Sequence, residues 1–78
     1  MNDTEDRKRY DAETIMLGLL ACLERNPFDQ TTRRALRAHA YQARELLPPR
    51  LVKFAILALD AAEGLDYNLK AAQGASTQ

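Results

Sequence analysis

The sequence predicts an all-α fold, a small bundle of three helices. Two observations predict it. Pro27 and the pair Pro48-Pro49 divide the 78-residue chain into three helix-length segments. Within each segment apolar residues recur at the helical spacing, and no run alternates with the two-residue period of a strand. A third observation bears on function. The last segment is more apolar than two short companion helices would need it to be, which points to a partner.

The first helix is expected from about Thr4 to Arg25. Thr4 is an N-cap candidate, and Glu5 and Asp6 suit the positive end of the helix. Asp3/Arg7 and Glu5/Arg9 are spaced four apart with the acid first, the favourable order. Asp11 is a second cap candidate. A start there would leave residues 1–10 as a polar arm before a helical domain spanning 11–72. At 100° per residue Ala12, Ile15, Met16, Leu19, Leu20, Cys22 and Leu23 form one stripe, with Leu17 an apolar residue outside it. Asn26-Pro27 ends the helix: Asn tolerates the left-handed conformation of a helix end, and proline does not continue one.

The second helix is expected from Gln30 to about Leu46, capped by Asp29, with Thr31 as a second cap candidate. Ala35, Leu36, His39, Ala40, Ala43, Leu46 and Leu47 share its apolar face. Arg33, Arg37 and Arg44 project within about 40° of one another on the other face. Tyr41 and Arg34 extend that patch.

Pro49 suits the first turn of a third helix, expected from 49 to about Ala72. Its central stripe reads Leu51, Ala55, Ala58, Ala62, Leu65 and Leu69, in phase across Gly64. Phe54, Val52 and Leu59 edge that stripe, while Ile56 and Leu57 stand off it on either side. Residues 73–78 read as a disordered tail.

Length and composition narrow the function. One domain of this size has a marginal core, and small domains of this kind usually add disulfides, a metal or a second subunit. Cys22 is the only cysteine and His39 the only histidine, so neither an internal disulfide nor a Cys/His zinc site is available within one chain. Oligomerisation remains, and a homodimer is expected, with Leu17, Phe54, Ile56, Leu57 and Ala61 at its interface. The first residues mix acids and bases ahead of no apolar run, unlike a signal peptide. No apolar stretch is long enough to span a bilayer. The chain is expected to be cytoplasmic, of the arginine- and alanine-rich kind common in short bacterial and phage accessory proteins.

Net charge is zero, yet residues 24–53 carry seven bases against three acids, between two mildly acidic ends. No global field draws the chain to nucleic acid or membrane. No catalytic constellation, phosphate loop or metal spacing is present, so no enzyme activity, cofactor or small-molecule substrate is expected. His39 on an apolar face reads as a core histidine with one hydrogen bond, and Cys22 as a structural thiol. Asp60 and Glu63, one turn apart with Lys53 two turns before, read as a polar strip.

The arginine–tyrosine face (Arg33, Arg34, Arg37, Tyr41, Arg44) is the candidate partner-binding surface. Arginine and tyrosine combine wide contact area with directional donors, and an acidic protein surface is the expected partner. A solvated face, or ion pairs with flanking helices, is the plain alternative. The second functional reading is a nucleic-acid-binding regulator, with Gln30-Thr31-Thr32-Arg33-Arg34 at a helix start and Arg37 one turn on. The absence of net positive charge weighs against it.

Overall fold

The computed structural model describes residues 3–76 as three helices: α1 (Asp3–Arg25), α2 (Gln30–Gln42) and α3 (Pro49–Ser76). They run up, down and up, in an elongated body of 64 × 17 × 15 Å.

Helix α1 begins at the first of the two expected starts. Residues 3–10 are its first turns, and Asp3, Glu5 and Asp6 lie at its positive end. It stops at Asn26 without a left-handed residue: no described residue has positive φ. The Asn26 side chain does the work, its Oδ1 accepting the Phe28 N–H at 3.3 Å. The Asn26 N–H still donates to Cys22 O, and Asp29 N–H to Asn26 O.

Asp29 caps α2 as expected. Its Oδ1 accepts the Thr31 N–H at 3.1 Å and its Oδ2 the Thr32 hydroxyl at 2.8 Å. The hydroxyl's hydrogen bond, aided by the backbone N–H groups, holds the Asp29 carboxyl below its usual range. Helix α2 ends at Gln42, four residues earlier than expected. Ala43 leaves helical geometry at φ −105° and ψ 17°, and its carbonyl accepts from both Leu46 N–H and Leu47 N–H. That turn drops Leu47 into the core ahead of Pro48.

The Pro48 carbonyl accepts from Leu51 and Val52 N–H, starting α3. The helix passes straight through Gly64 and continues to Ser76, so residues 73–76 of the expected tail are helical and residues 77–78 lie outside the described ones.

The core is Ala12, Met16 and Leu23 from α1, Leu36 and Ala40 from α2, Ala43 and Leu47 from the turn, and Ala55, Leu59 and Ala62 from α3. Met16, Leu36 and Leu59 are the largest fully enclosed side chains. Several stripe positions fall outside it. Ile15, Cys22 and Ala35 are exposed, because each helix has neighbours on only part of its circumference. Leu69 is exposed because α3 outruns its companions, and Leu65 because it lines an open groove between α1 and α3. The Ala12 carbonyl meets His39, near the end of α2, while Asp66 meets Arg33 near its start. Residues 3–11 of α1 therefore overhang one end of the bundle, and residues 67–76 of α3 overhang the other.

Candidate functional site

The expected arginine face divides into a buried part and an open part. Arg33 is 8% exposed. Its Nη2 donates to Asp66 Oδ2 at 3.1 Å and its Nη1 to Pro27 O at 3.2 Å, so one guanidinium ties the α1–α2 turn and α2 to α3. Arg33 is thus withdrawn from the partner-binding face and acts as a structural tie. Its hydrogen bond, with the nearby Lys70 ammonium (3.5 Å), holds the Asp66 carboxyl below its usual range. Arg37 is half exposed and pairs with Glu63 across the same α2/α3 seam. Glu63, exposed like Asp60 on the polar strip, thus also belongs to this seam.

Arg34, Tyr41 and Arg44 stay open to solvent. Arg44 lies just past the end of α2, and its Nη1 donates to Tyr41 O at 2.8 Å. Its guanidinium carbon sits 4.6 Å from the centre of the Tyr41 ring. The hydrogen bond anchors the Arg44 guanidinium to the Tyr41 backbone, and cation–π attraction holds it over the Tyr41 ring. Beneath them, between α2 and α3, opens a cleft of about 280 Å³ lined by Ala40, Val52, Ile56 and Leu59 with Arg37, Tyr41 and Arg44 on its rim. A shallower depression continues past Ile56 to Leu57, bordered by Arg44, Glu45 and Lys53. Among the described residues Arg34, Arg44, Arg50 and Lys53 form no ion pair.

The five expected interface residues do not form one patch. Leu17, Phe54 and Ala61 line an apolar groove of about 640 Å³ between α1 and α3. Leu20 and Ala21 on α1 and Ala58 and Leu65 on α3 complete its walls, with Glu24 and Pro27 at one end. Leu57, one turn from Phe54 and Ala61, lies outside the groove on the outer face of α3, in the depression that runs to Ile56. Ile56 lies about 160° around α3 from Phe54, in the cleft toward α2. All four large side chains off the core remain open: Leu17 at 57%, Phe54 at 58%, Ile56 at 46% and Leu57 at 58%.

Leu20, read from periodicity as core, and Val52, read as an edge position, are partly buried against the core and line the two clefts, whereas Leu65, also read as core, is exposed. A sequence signal for the buried ion pair existed. Ala55, Leu59, Ala62 and Asp66 follow one another at spacings of four, three and four. An acid continuing such a stripe calls for a base on the facing helix.

His39 is half-buried, and its Nε2 lies 2.8 Å from Ala12 O. A carbonyl only accepts, so Nε2 carries the proton. The histidine docks the end of α2 on α1, the core role expected of it. Among the described residues no group of three His, Cys, Asp or Glu side chains is placed to hold a metal ion, and no helix is long and apolar enough to cross a membrane. No family model, curated protein or solved structure matches this chain, so the function is argued from these surfaces alone.

Proposed function

We propose that this chain is a non-enzymatic protein–protein interaction module, an accessory adaptor, chaperone-like subunit or inhibitor that acts by binding alone. The observation that carries this reading is the α2/α3 cleft, an apolar floor of Val52, Ile56 and Leu59 beneath a rigid Arg44–Tyr41 unit. Such a site fits an apolar side chain flanked by carboxylates. The floor supplies burial, the unpaired Arg34, Arg44 and Lys53 supply charge complementarity, and the pre-formed stack reduces the ordering lost on binding. An acidic protein segment is the partner of matching chemistry.

Nucleic acid is the weaker fit. Arg33 is buried and Arg37 already has a carboxylate, which removes two of the three phosphate contacts the sequence offered.

The test is affinity capture on the immobilised chain, with the captured protein identified by mass spectrometry and its binding then measured with purified material. Tyr41→Ala, Arg44→Glu and Ile56→Asp should each weaken binding at least tenfold, while Asp60→Asn leaves it unchanged. Rising salt should slow association. A partner bound equally well by Arg44→Glu and Ile56→Asp would remove the cleft from the model. A gel shift at low salt that is lost with Arg34→Ala and Arg37→Ala would replace the protein partner with a nucleic acid.

A further inference from the structure

The α1/α3 groove lies on the flank of α3 opposite the partner cleft. We propose that a second copy of this chain closes it, the two molecules lying antiparallel about a two-fold axis across the groove. This interface is independent of the cleft, and either can fail without the other.

Three features point to this occupant. The first is apolar area. Leu17, Phe54 and Leu65 line the groove and are each more than half exposed, and Leu57, equally open, adjoins Phe54 and Ala61 on the outer face of α3, in a molecule 64 Å long. Monomeric proteins rarely leave a continuous patch of this kind open. Such a face is long enough to supply the roughly 800 Å² that a standard interface takes from each partner.

The second is the charge at the ends of the groove. Glu24 sits at the Pro27 end. At the other end Arg50, without an ion pair among the described residues, precedes Phe54, Leu57 and Ala61 at spacings of four, three and four, on the same flank of α3. An antiparallel copy brings each Arg50 to the level of the other molecule's Glu24. A parallel copy would set like against like.

The third is the overhangs. Residues 3–11 of α1 and 67–76 of α3 project from opposite ends by nearly equal lengths, about 14 Å each at 1.5 Å per residue. In the antiparallel pair each α3 overhang runs beside the partner molecule's α1 overhang. Leu65 and Leu69 carry the groove flank out along α3, and Tyr10, seven residues before Leu17, carries it out along α1. Leu69 is 43% exposed and Tyr10 69% exposed, and each would gain cover from the other copy.

Sedimentation equilibrium of the full chain should give twice the 8.8 kDa chain mass at micromolar concentration. Leu17→Asp combined with Phe54→Asp should give a monomer whose circular dichroism is still helical. Glu24→Arg and Arg50→Glu should each weaken the dimer by about tenfold, and the two together should restore it. Orientation is read from spin labels on Asp3→Cys in a Cys22→Ser background. The antiparallel dimer places them roughly 40 Å apart, twice the helical rise from Leu17, near the midpoint between the levels of Glu24 and Arg50, to Asp3. A monomer at 100 μM overturns the proposal. So does a dimer untouched by Leu17→Asp and Phe54→Asp, or a label separation well below 30 Å.

Discussion

Helix α3 is packed differently on its two flanks. Toward α2 the seam is closed over much of its length: Leu36 and Ala40 meet Leu59 and Ala62, and two ion pairs, Arg33–Asp66 and Arg37–Glu63, fix the register. Toward α1 there is no ion pair among the described residues, and an apolar groove remains between Leu17 and Phe54. The closed flank combines apolar contact with directional polar ties. The open flank is apolar along its middle, with Glu24 and Arg50 only at its ends, so another chain can cover the middle without leaving a charge stranded. The all-round apolar character of α3 therefore serves two tasks: it holds the fold along the α2 seam, and it leaves apolar surface open at the Ile56 cleft and along the α1 groove.

Truncation on each flank separates the two most strongly. Leu36→Ala, on the closed flank at 0% exposure, should cost about 2–5 kcal/mol. That is a large part of the total for a chain of this length, which at typical values is of order 4–12 kcal/mol. Leu57→Ser, on the open flank, should change the stability of the dilute monomer by no more than roughly 0.5 kcal/mol. Its cost should grow with protein concentration if a second copy covers it. Urea melts at two concentrations check both. Equal losses for the two variants in dilute solution would mean that the flanks do not differ.

Acid sharpens the comparison next. The Asp66 carboxyl is held below its ordinary value of about 3.8 by the Arg33 hydrogen bond and the Lys70 charge. A group whose folded pKa is depressed adds stability that is fully present above the unfolded value and is lost as pH falls through the folded one. The closed seam should therefore weaken below about pH 4, with Asp29 adding a local loss of the same sign at its cap. Urea midpoints from pH 7 to pH 3 should fall less steeply in Asp66→Asn than in the wild type. Arg33→Met should destabilise at neutral pH, since it leaves Asp66, whose side chain is 17% exposed, without its guanidinium. An unchanged acid slope in Asp66→Asn would show that the ion pair does not set the register.

The closed and open flanks were not equally legible in the sequence. Helix number and most boundaries were, because they are written locally: the Asp29 cap, the Asn26-Pro27 stop and the Pro48-Pro49 start act within a few residues. The early end of α2 was not, because it depends on seating Leu47 in a core built from all three helices. Periodicity located each apolar stripe and overestimated its width. Cys22, Ile15 and Ala35 sit at stripe margins that no neighbouring helix covers. The candidate site was legible as a residue type on a face, and its division was hidden. Arg33 and Arg37 lie about 40° apart on α2, yet one is enclosed and the other half open. Which of them meets Asp66 is set by the register of α2 on α3, a property of the pair that neither helix carries alone.

Gly64 gives the smallest effect and the finest resolution between the flanks. It lies mid-way along α3 with helical φ, and a Cβ built there meets nothing within 4 Å. Neither a turn nor a close approach within this chain requires glycine at that position. Gly64→Ala should therefore stabilise the dilute monomer by roughly 0.5–1 kcal/mol, chiefly by reducing the freedom of the unfolded chain. On the helical wheel Gly64 is about 20° from Leu57 and 100° from Glu63, on the margin of the open flank. A methyl group there touches nothing on the α2 seam. The gain in thermal midpoint should be the same in the Asp66→Asn background as in the wild type, since the two sites share no contact. If alanine at this position stabilises the dilute chain but weakens self-association, the second molecule approaches α3 on the Leu57 side; if it leaves association unchanged, the approach is centred nearer Phe54 and Leu65.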